Sequence, residues 1–207
     1  IMPAVGYIQR MRCYHHILSN EVDKMSQTDI LSLIRSLSRR EKAVLCSGLD
    51  MWSTKANEKA GIPAMIVSDG PHGLRHQLPD AASINESLPA VCFPSGGAAA
   101  CSFDEELVRK IGRAIGREAK AQDVQVVLGP AVNIKRMPLG GRNFEYYSED
   151  PYLSSHMAAA LIEGIQAEGV GTSIKHFAAN NQENRRMSIN ACISERTCQM
   201  NIPLFQR

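Results

Sequence analysis

Apolar positions in this chain fall into two kinds of stretch: short continuous runs and longer segments with helical spacing. Ile30, Leu33, Ile34 and Leu37 recur every three or four residues, which predicts a helix over 29–37. Ser38-Arg-Arg-Glu41 reads as a capping box that opens a short helix through Cys46, with Gly48 as its stop. After Gly61-Ile-Pro63, the apolar run 64–67 predicts a buried strand. Residues 77–97 contain Pro79, Pro89, Pro94, Gly96 and Gly97 and read as an irregular surface excursion. A second capping box, Ser102-Phe-Asp-Glu105, predicts a helix to about Gln122 with Leu107, Ile111, Ala114, Ile115 and Ala119 on one face. The run 124–128 predicts a second strand, ended by Gly129-Pro130. Asp150 is placed as an N-cap with Pro151 at the first helical position. Behind it Leu153, Met157, Leu161 and Ile165 step by four as far as a stop at Gly169. Residues 172–176 predict a third strand, 178–186 a polar loop, and 193–207 the opening of another helix with Ser194 as a weak cap.

Strand, helix, strand, helix, strand is the order of a parallel sheet. Right-handed crossovers put the C-terminal ends of such strands on one edge. The polar clusters 69–75, 142–149 and 175–176 all lie at or just after predicted strand ends. Three loops on one rim is the pattern of a (β/α) barrel active site, and an open doubly wound sheet would place ligands there as well. No G-x-G-x-x-G follows the first strand and no G-x-x-x-x-G-K-[ST] occurs, so a nucleotide site is disfavoured.

Composition narrows the partners. A chain of 207 residues with 44% hydrophobic content can bury one substantial core. The net charge of +2 is dispersed, and no basic block points to nucleic acid. No apolar stretch approaches membrane-spanning length. The N-terminal residues lack a signal-peptide pattern, so a cytoplasmic location is expected. Residues 1–36 are read as a leader with the first helix, and 37–207 as the N-terminal portion of an incomplete barrel. Six scattered cysteines without C-x-x-C are expected to be free buried thiols. Cys13, His15 and His16 are close in sequence, but no second cluster at zinc-site spacing accompanies them, so no metal site is expected. No cofactor is expected, and the sequence does not speak to the oligomeric state.

The densest chemistry lies in residues 139–151, L-G-G-R-N-F-E-Y-Y-S-E-D-P. Arg142 follows two glycines and offers a planar fork of donors to vicinal hydroxyls or a carboxylate. The competing reading pairs it structurally with Glu145 or Glu149. The whole rim holds Asp69, His72, Arg75, Arg142, Glu145, Glu149, Lys175 and His176. Carboxylates and cations that each bond adjacent hydroxyls suit a sugar, and Asp69 with Arg142, Lys175 and His176 would do so. Arg75, Arg142 and Lys175 would also suit phosphate, but Asp69 and Glu149 would repel it. His72, in P-H-G, is expected to lock its loop by bonding backbone. Lys175, near the end of a buried strand, must be paired or face a cavity. His176 is either a ligand or a satisfied core histidine. No G-x-S-x-G elbow and no cysteine–histidine arrangement supports a Ser or Cys nucleophile.

Four ordered motifs then carry a resemblance: V-S-D-G-P-H-G-L-R (67–75), L-G-P-A-V-N-I-K-R (128–136), G-R-N-F-E-Y-Y-S-E-D-P (141–151) and I-K-H-F-A-A-N-N-Q-E (174–183). From about Leu37 onward the chain resembles the N-terminal barrel domain of glycoside hydrolase family 3, most of all bacterial β-glucosidases. The resemblance implies a retaining glycosidase with a barrel followed by an α/β sandwich domain. It implies that Asp69, Arg75, Arg142, Lys175 and His176 hold the hydroxyls of a non-reducing glucosyl unit of a small β-glucoside or oligosaccharide. The family nucleophile is an Asp in an S-D-W-like motif, and the only S-D here, Ser68-Asp69, belongs to the binding motif. The acid/base residue usually comes from the second domain. The resemblance thus places both catalytic groups beyond this chain, and the 207 residues alone are expected to be inactive. Near the end, I-S-E-R-T resembles a family helix, with Cys198 and Gln199 where Leu and Arg are common. A non-catalytic carbohydrate-binding remnant is the alternative, as is a β-xylosidase or N-acetylglucosaminidase of the same family.

Overall fold

A computed structural model describes residues 27–78, 83 and 86–201. The sequence-stretch Cys13, His15 and His16 lies outside the described residues. The chain divides into two compact units, residues 1–66 and 67–207.

In the first unit, α1 (Gln27–Ser36) and α2 (Arg39–Leu45) form where the spacing predicts them. Both halves of the capping box are made: Ser38 Oγ accepts from the Glu41 N–H, and the Ser38 N–H donates to Glu41 Oε2 at 2.8 Å. Ile30 and Ile34 of α1 remain 46% exposed, whereas Leu37 is buried. A turn of 3₁₀ helix at Glu58–Ala60 ends at Gly61 in the left-handed region. The Thr54 N–H donates to the Met65 carbonyl, so the apolar stretch before residue 67 pairs backward.

The second unit contains a three-stranded parallel sheet, β1 (Val67–Asp69), β2 (Val126–Leu128) and β3 (Gly171–Thr172), in the order β1-β2-β3. Between β1 and β2 run α3 (Gly96–Ala100) and α4 (Glu105–Ala121); α5 (Pro151–Gln166) joins β2 to β3, and α6 (Glu195–Asn201) follows. Strands alternating with helices in a parallel sheet give the predicted α/β architecture, a partial (β/α) barrel. The strands are shorter than expected and shifted. β1 starts where the predicted strand ends, because residues 64–66 are engaged upstream. β3 stops at Thr172, but parallel pairing resumes at Ala131 and Lys175, with the Lys175 N–H donating to the Pro130 carbonyl at 2.9 Å.

Three further details depart from the pattern. The Ser102 hydroxyl closes the end of α3 by donating to the Ala99 carbonyl, so Asp104 caps α4 instead, accepting from the Leu107 N–H at 3.0 Å. α3 itself falls in the glycine-rich end of the predicted loop, capped by Ser95. Among the described residues the cysteines are free, but Cys46, Cys92, Cys101 and Cys192 are exposed and not buried.

The inward face of α4 keeps Ile115 and Ala119 of the predicted stripe, but Val108, Gly112 and Gly116 complete it in place of Leu107, Ile111 and Ala114. Val108, Gly112, Ile115, Gly116 and Ala119 are buried, and Leu107 is 44% exposed. Opposite them Met157, Leu161, Gly164 and Ile165 of α5 are buried, and Asp150 caps α5 with Pro151 at its start, as predicted. Glycines set the distance between these helices. A Cβ on Gly164 would stand 2.3 Å from the Arg109 carbonyl oxygen, and one on Gly112 2.5 Å from that of Leu161. Alanine is the better helix former by about 1 kcal/mol, but overpacking a close contact costs about 1–3 kcal/mol. Gly164→Ala should therefore lower the stability of the protein in denaturant titration, and an unchanged or raised midpoint would show that the helices are free to separate.

Candidate functional site

The parallel register delivers the C-terminal ends of all three strands to one edge. Asp69 closes β1. The chain then turns sharply through Gly70 and Gly73, whose φ angles are 137° and 135°. A Cβ at either would lie 2.3 Å from a backbone oxygen, so only glycine fits. The turn brings the Arg75 N–H back to the Asp69 carbonyl at 2.8 Å.

After β2, a 3₁₀ turn at Asn143–Glu145 sets Arg142 and Glu145 three residues apart on one side. Arg142 Nε donates to Glu145 Oε1, Nη1 lies 3.3 Å from Glu183 Oε1, and Nη2 lies 2.7 Å from His176 Nε2. The structural pairing considered for Arg142 is therefore present, with Glu145 as its partner; Glu149 is exposed and takes no part in it. The contact with His176 joins Arg142 to the third loop at the same time.

Lys175 Nζ donates to Asp69 Oδ1 at 2.6 Å and lies 3.6 Å from Glu145 Oε2. The part-buried ammonium is paired, as its position demanded. Arg75 stands at the margin, 3.5 Å from Asp69 Oδ2 and half exposed. Arg186 closes the other end, 3.3 Å from Glu183. Arg142 and Lys175 thus meet on one buried carboxylate, Glu145, which is 3% exposed, and through them His176, Asp69 and, at the margin, Arg75 join the same network. His72 behaves as expected of a backbone tie, but it reaches beyond its own loop. Its Nε2 takes the Gly96 N–H at 3.2 Å and lies 3.1 Å from the Glu145 carbonyl oxygen.

Motif reading did not single out the groups that line up this cluster. Asn133 and Tyr146 contact His176, Glu183 contacts Arg142, and Asn180 bonds Tyr146 and Glu183, all from within the quoted motifs. Asn133 and Tyr146 are buried and Asn180 and Glu183 half-buried, and no spacing in the sequence marks them. A shallow hollow bounded by Gly140, Gly141, Arg142, Asn143, Tyr146 and Asn180 adjoins the cluster. No group of three metal-ligating side chains occurs among the described residues.

Electrostatics separate the members. Burial would raise the Asp69 carboxyl, but the hydrogen bond and charge of Lys175, with Arg75, hold it below the usual range. Burial also opposes the charge on Arg142, and Glu145 outweighs it, so the guanidinium is held more firmly protonated than usual. His176 is pushed down to about 4, first by burial and then by Arg142 and Lys175. Burial pushes the Tyr146 hydroxyl up to about 12.

Between the ordinary histidine value of 6.5 and about 4, native His176 binds fewer protons than the unfolded chain, so stability falls as pH drops through that window. The depressed Asp69 extends the loss below the ordinary carboxylate value of 3.8. Melting temperatures of the protein should decline from neutral pH to about pH 4.5, and less steeply in His176→Gln. Equal slopes would remove His176 as the titrating group.

Comparison with known proteins places this geometry in a family. The chain matches the Glycosyl hydrolase family 3 N terminal domain over residues 8–193, which extends the resemblance on the N-terminal side of Leu37. It is 57% identical over 171 residues to thermostable beta-glucosidase B of Acetivibrio thermocellus, covering 82% of this chain and 23% of that protein. It is 48% identical over 177 residues to an exo-alpha-(1->6)-L-arabinopyranosidase of Bifidobacterium longum, covering 84% and 23%. Among solved structures, the beta-glucosidase of Kluyveromyces marxianus in complex with glucose aligns with a TM-score of 0.79 at 39% identity, covering 86% of this chain and 21% of that one. The chain thus spans less than a quarter of the length of the curated relatives named here. With its family domain matched over most of its length and its strand-end motifs gathered at one rim, the chain belongs to glycosyl hydrolase family 3 as part of the N-terminal domain.

Proposed function

We propose that the protein carrying this chain hydrolyses terminal, non-reducing β-D-glucosyl residues with retention, and that this chain supplies the grip on the glucosyl unit. The observation that carries the reading is one network at the strand ends, in which Arg142 and Lys175 both meet Glu145 while Lys175 holds Asp69 and Arg142 meets His176. Family membership and the similarity to two beta-glucosidases support the choice of sugar.

The residues fit a polyol. Asp69 is an ionised acceptor pinned by Lys175, with lone pairs left for hydroxyl protons. Lys175 has three donors, and Asp69 and Glu145 account for two directions. Arg75 stands 3.5 Å from Asp69 at the exposed margin, where a hydroxyl can reach both. Charge-assisted hydrogen bonds of this kind position the ring for attack. In this reading the nucleophile and the acid/base carboxyl come from outside the 207 residues, so the chain contributes binding and orientation. Retention then proceeds through a covalent glycosyl-enzyme, formed and broken by two carboxyl groups about 5 Å apart.

Proton NMR of the full-length protein acting on an aryl β-glucoside should show the β-anomer as the first-formed sugar; an α-product would sink the assignment. An aryl α-L-arabinopyranoside, run in parallel, should be the poorer substrate. Arg142→Ala and Lys175→Ala should each cost about tenfold to a hundredfold in kcat/KM, since a charged hydrogen bond is worth roughly 1.5–3 kcal/mol. His72→Ala should cost less, because its ring bonds the backbone. Equal losses at all three positions would undo this division of labour.

A further inference from the structure

Asn133 makes three hydrogen bonds with a single residue. It lies just after β2 and is 3% exposed. Its Oδ1 accepts from the His176 backbone N–H at 2.8 Å, and its Nδ2 donates to the His176 carbonyl at 3.1 Å. A backbone N–H only donates and a carbonyl only accepts, so the main chain fixes which end of the amide is oxygen. That same oxygen lies 3.2 Å from His176 Nδ1. The other neighbour of Nδ1 is the Tyr146 hydroxyl at 3.4 Å, whose proton is directed to the Asn180 carbonyl at 3.1 Å. Nδ1 therefore faces two acceptors and carries the proton. On the far side of the ring, Nε2 faces Arg142 Nη2 at 2.7 Å. A guanidinium has no acceptor, so Nε2 presents its lone pair to it.

We propose that Asn133 is a positioning residue that holds His176 as a neutral imidazole protonated on Nδ1, so that Nε2 serves the sugar as a hydrogen-bond acceptor. The inference rests on the reading of His176 as a sugar-binding residue given above. The pairing of Nε2 with Arg142 has a chemical consequence. A hydroxyl can replace this direct contact as the two side chains part, donating to Nε2 and accepting from Nη2, because it is both donor and acceptor. A phosphate or carboxylate oxygen, which only accepts when ionised, would meet the imidazole lone pair. The arrangement thus selects a hydroxyl over an anion, although two cations are close by. Burial and the charges of Arg142 and Lys175 oppose protonation of the ring more than Glu145 and Glu183 favour it, which keeps it neutral.

The test uses the full-length protein labelled with ¹⁵N-histidine, the signal being assigned by its loss in His176→Gln. The spectrum near neutral pH should show a protonated Nδ1 and an unprotonated Nε2, and inorganic phosphate should leave the signal unmoved whereas glucose shifts it. A protonated Nε2 in the unmodified protein overturns the proposal. In Asn133→Asp an acceptor for Nδ1–H remains, but a carboxylate now faces the ring. The His176 titration should move up toward neutrality, and competitive inhibition by glucose should weaken about tenfold near pH 6, recovering at higher pH. An Asn133→Asp protein with an unshifted titration and unchanged inhibition also overturns the proposal. Loss of pH-independent stability alone, without the titration shift, would mark Asn133 as merely structural and count against it. Unchanged glucose inhibition in His176→Gln would instead remove the imidazole from the sugar site, and the proposal with it, whichever tautomer is seen.

Discussion

Glu145 is the group on which the arrangement of the rim depends. A carboxylate that is 3% exposed has to be met by cations, and here they come from two different loops: Arg142 from its own and Lys175 from the end of the third strand. The pairing continues outward in alternating sign, through Asp69 to Arg75 on one side and through Glu183 to Arg186 on the other. Breaking such a buried pair from one side costs about 3–5 kcal/mol, because the remaining charge stays buried. The fold meets this constraint with backbone devices. Parallel pairing brings the strand ends together, two glycines fold the first loop back on Asp69, and a 3₁₀ turn sets Glu145 beside Arg142.

Much of the fold was legible because periodicity and caps are local signals. The Ser38 box and the Asp150–Pro151 start fall where they were read. The failures share a physical cause, which is competition for the same group. Ser102 has a capping pattern, yet its hydroxyl is taken by the Ala99 carbonyl of the preceding helix, and the cap passes to Asp104. The predicted face of α4 holds at Ile115 and Ala119 but omits Gly112 and Gly116, because hydrophobic patterning gives glycine no weight, while these two are what allow α5 to approach. The first strand was placed early because an apolar run cannot say which neighbour it pairs with; residues 64–66 bond upstream and 67–69 bond β2.

The site was legible in its charged members and illegible in its supports. Lys175 announces itself, since an ammonium at the end of an apolar strand requires a partner, and the partner proves to be Asp69, 106 positions away. For Arg142 the sequence offered Glu145 and Glu149 alike, and only the tight turn distinguishes them. Asn133 and Tyr146 carry no local mark. Their roles are defined by His176, which is 43 and 30 positions away in the chain, and no spacing rule spans such separations.

A rim whose charges are already paired has a particular economy of recognition. In the structure Arg142 has Glu145, Glu183 and His176 in its three bonding directions, and Asp69 has Lys175 and Arg75. On the proposed sugar-binding reading, an incoming polyol exchanges bonds with this network more than it adds to it, and its net gain per hydroxyl is modest. The pairing has a different effect on a wrong ligand. Where a hydroxyl is absent or points the other way, the group meant to meet it is cut off from water without a replacement partner, which is the most expensive state of a buried polar atom. Discrimination between sugars consequently grows with the burial of the network, whereas affinity does not. On the proposed function, a cluster built on a carboxylate as deeply buried as Glu145 is better suited to choosing a hydroxyl pattern than to holding it tightly, and weak ground-state binding would leave more of the interaction energy available to the transition state.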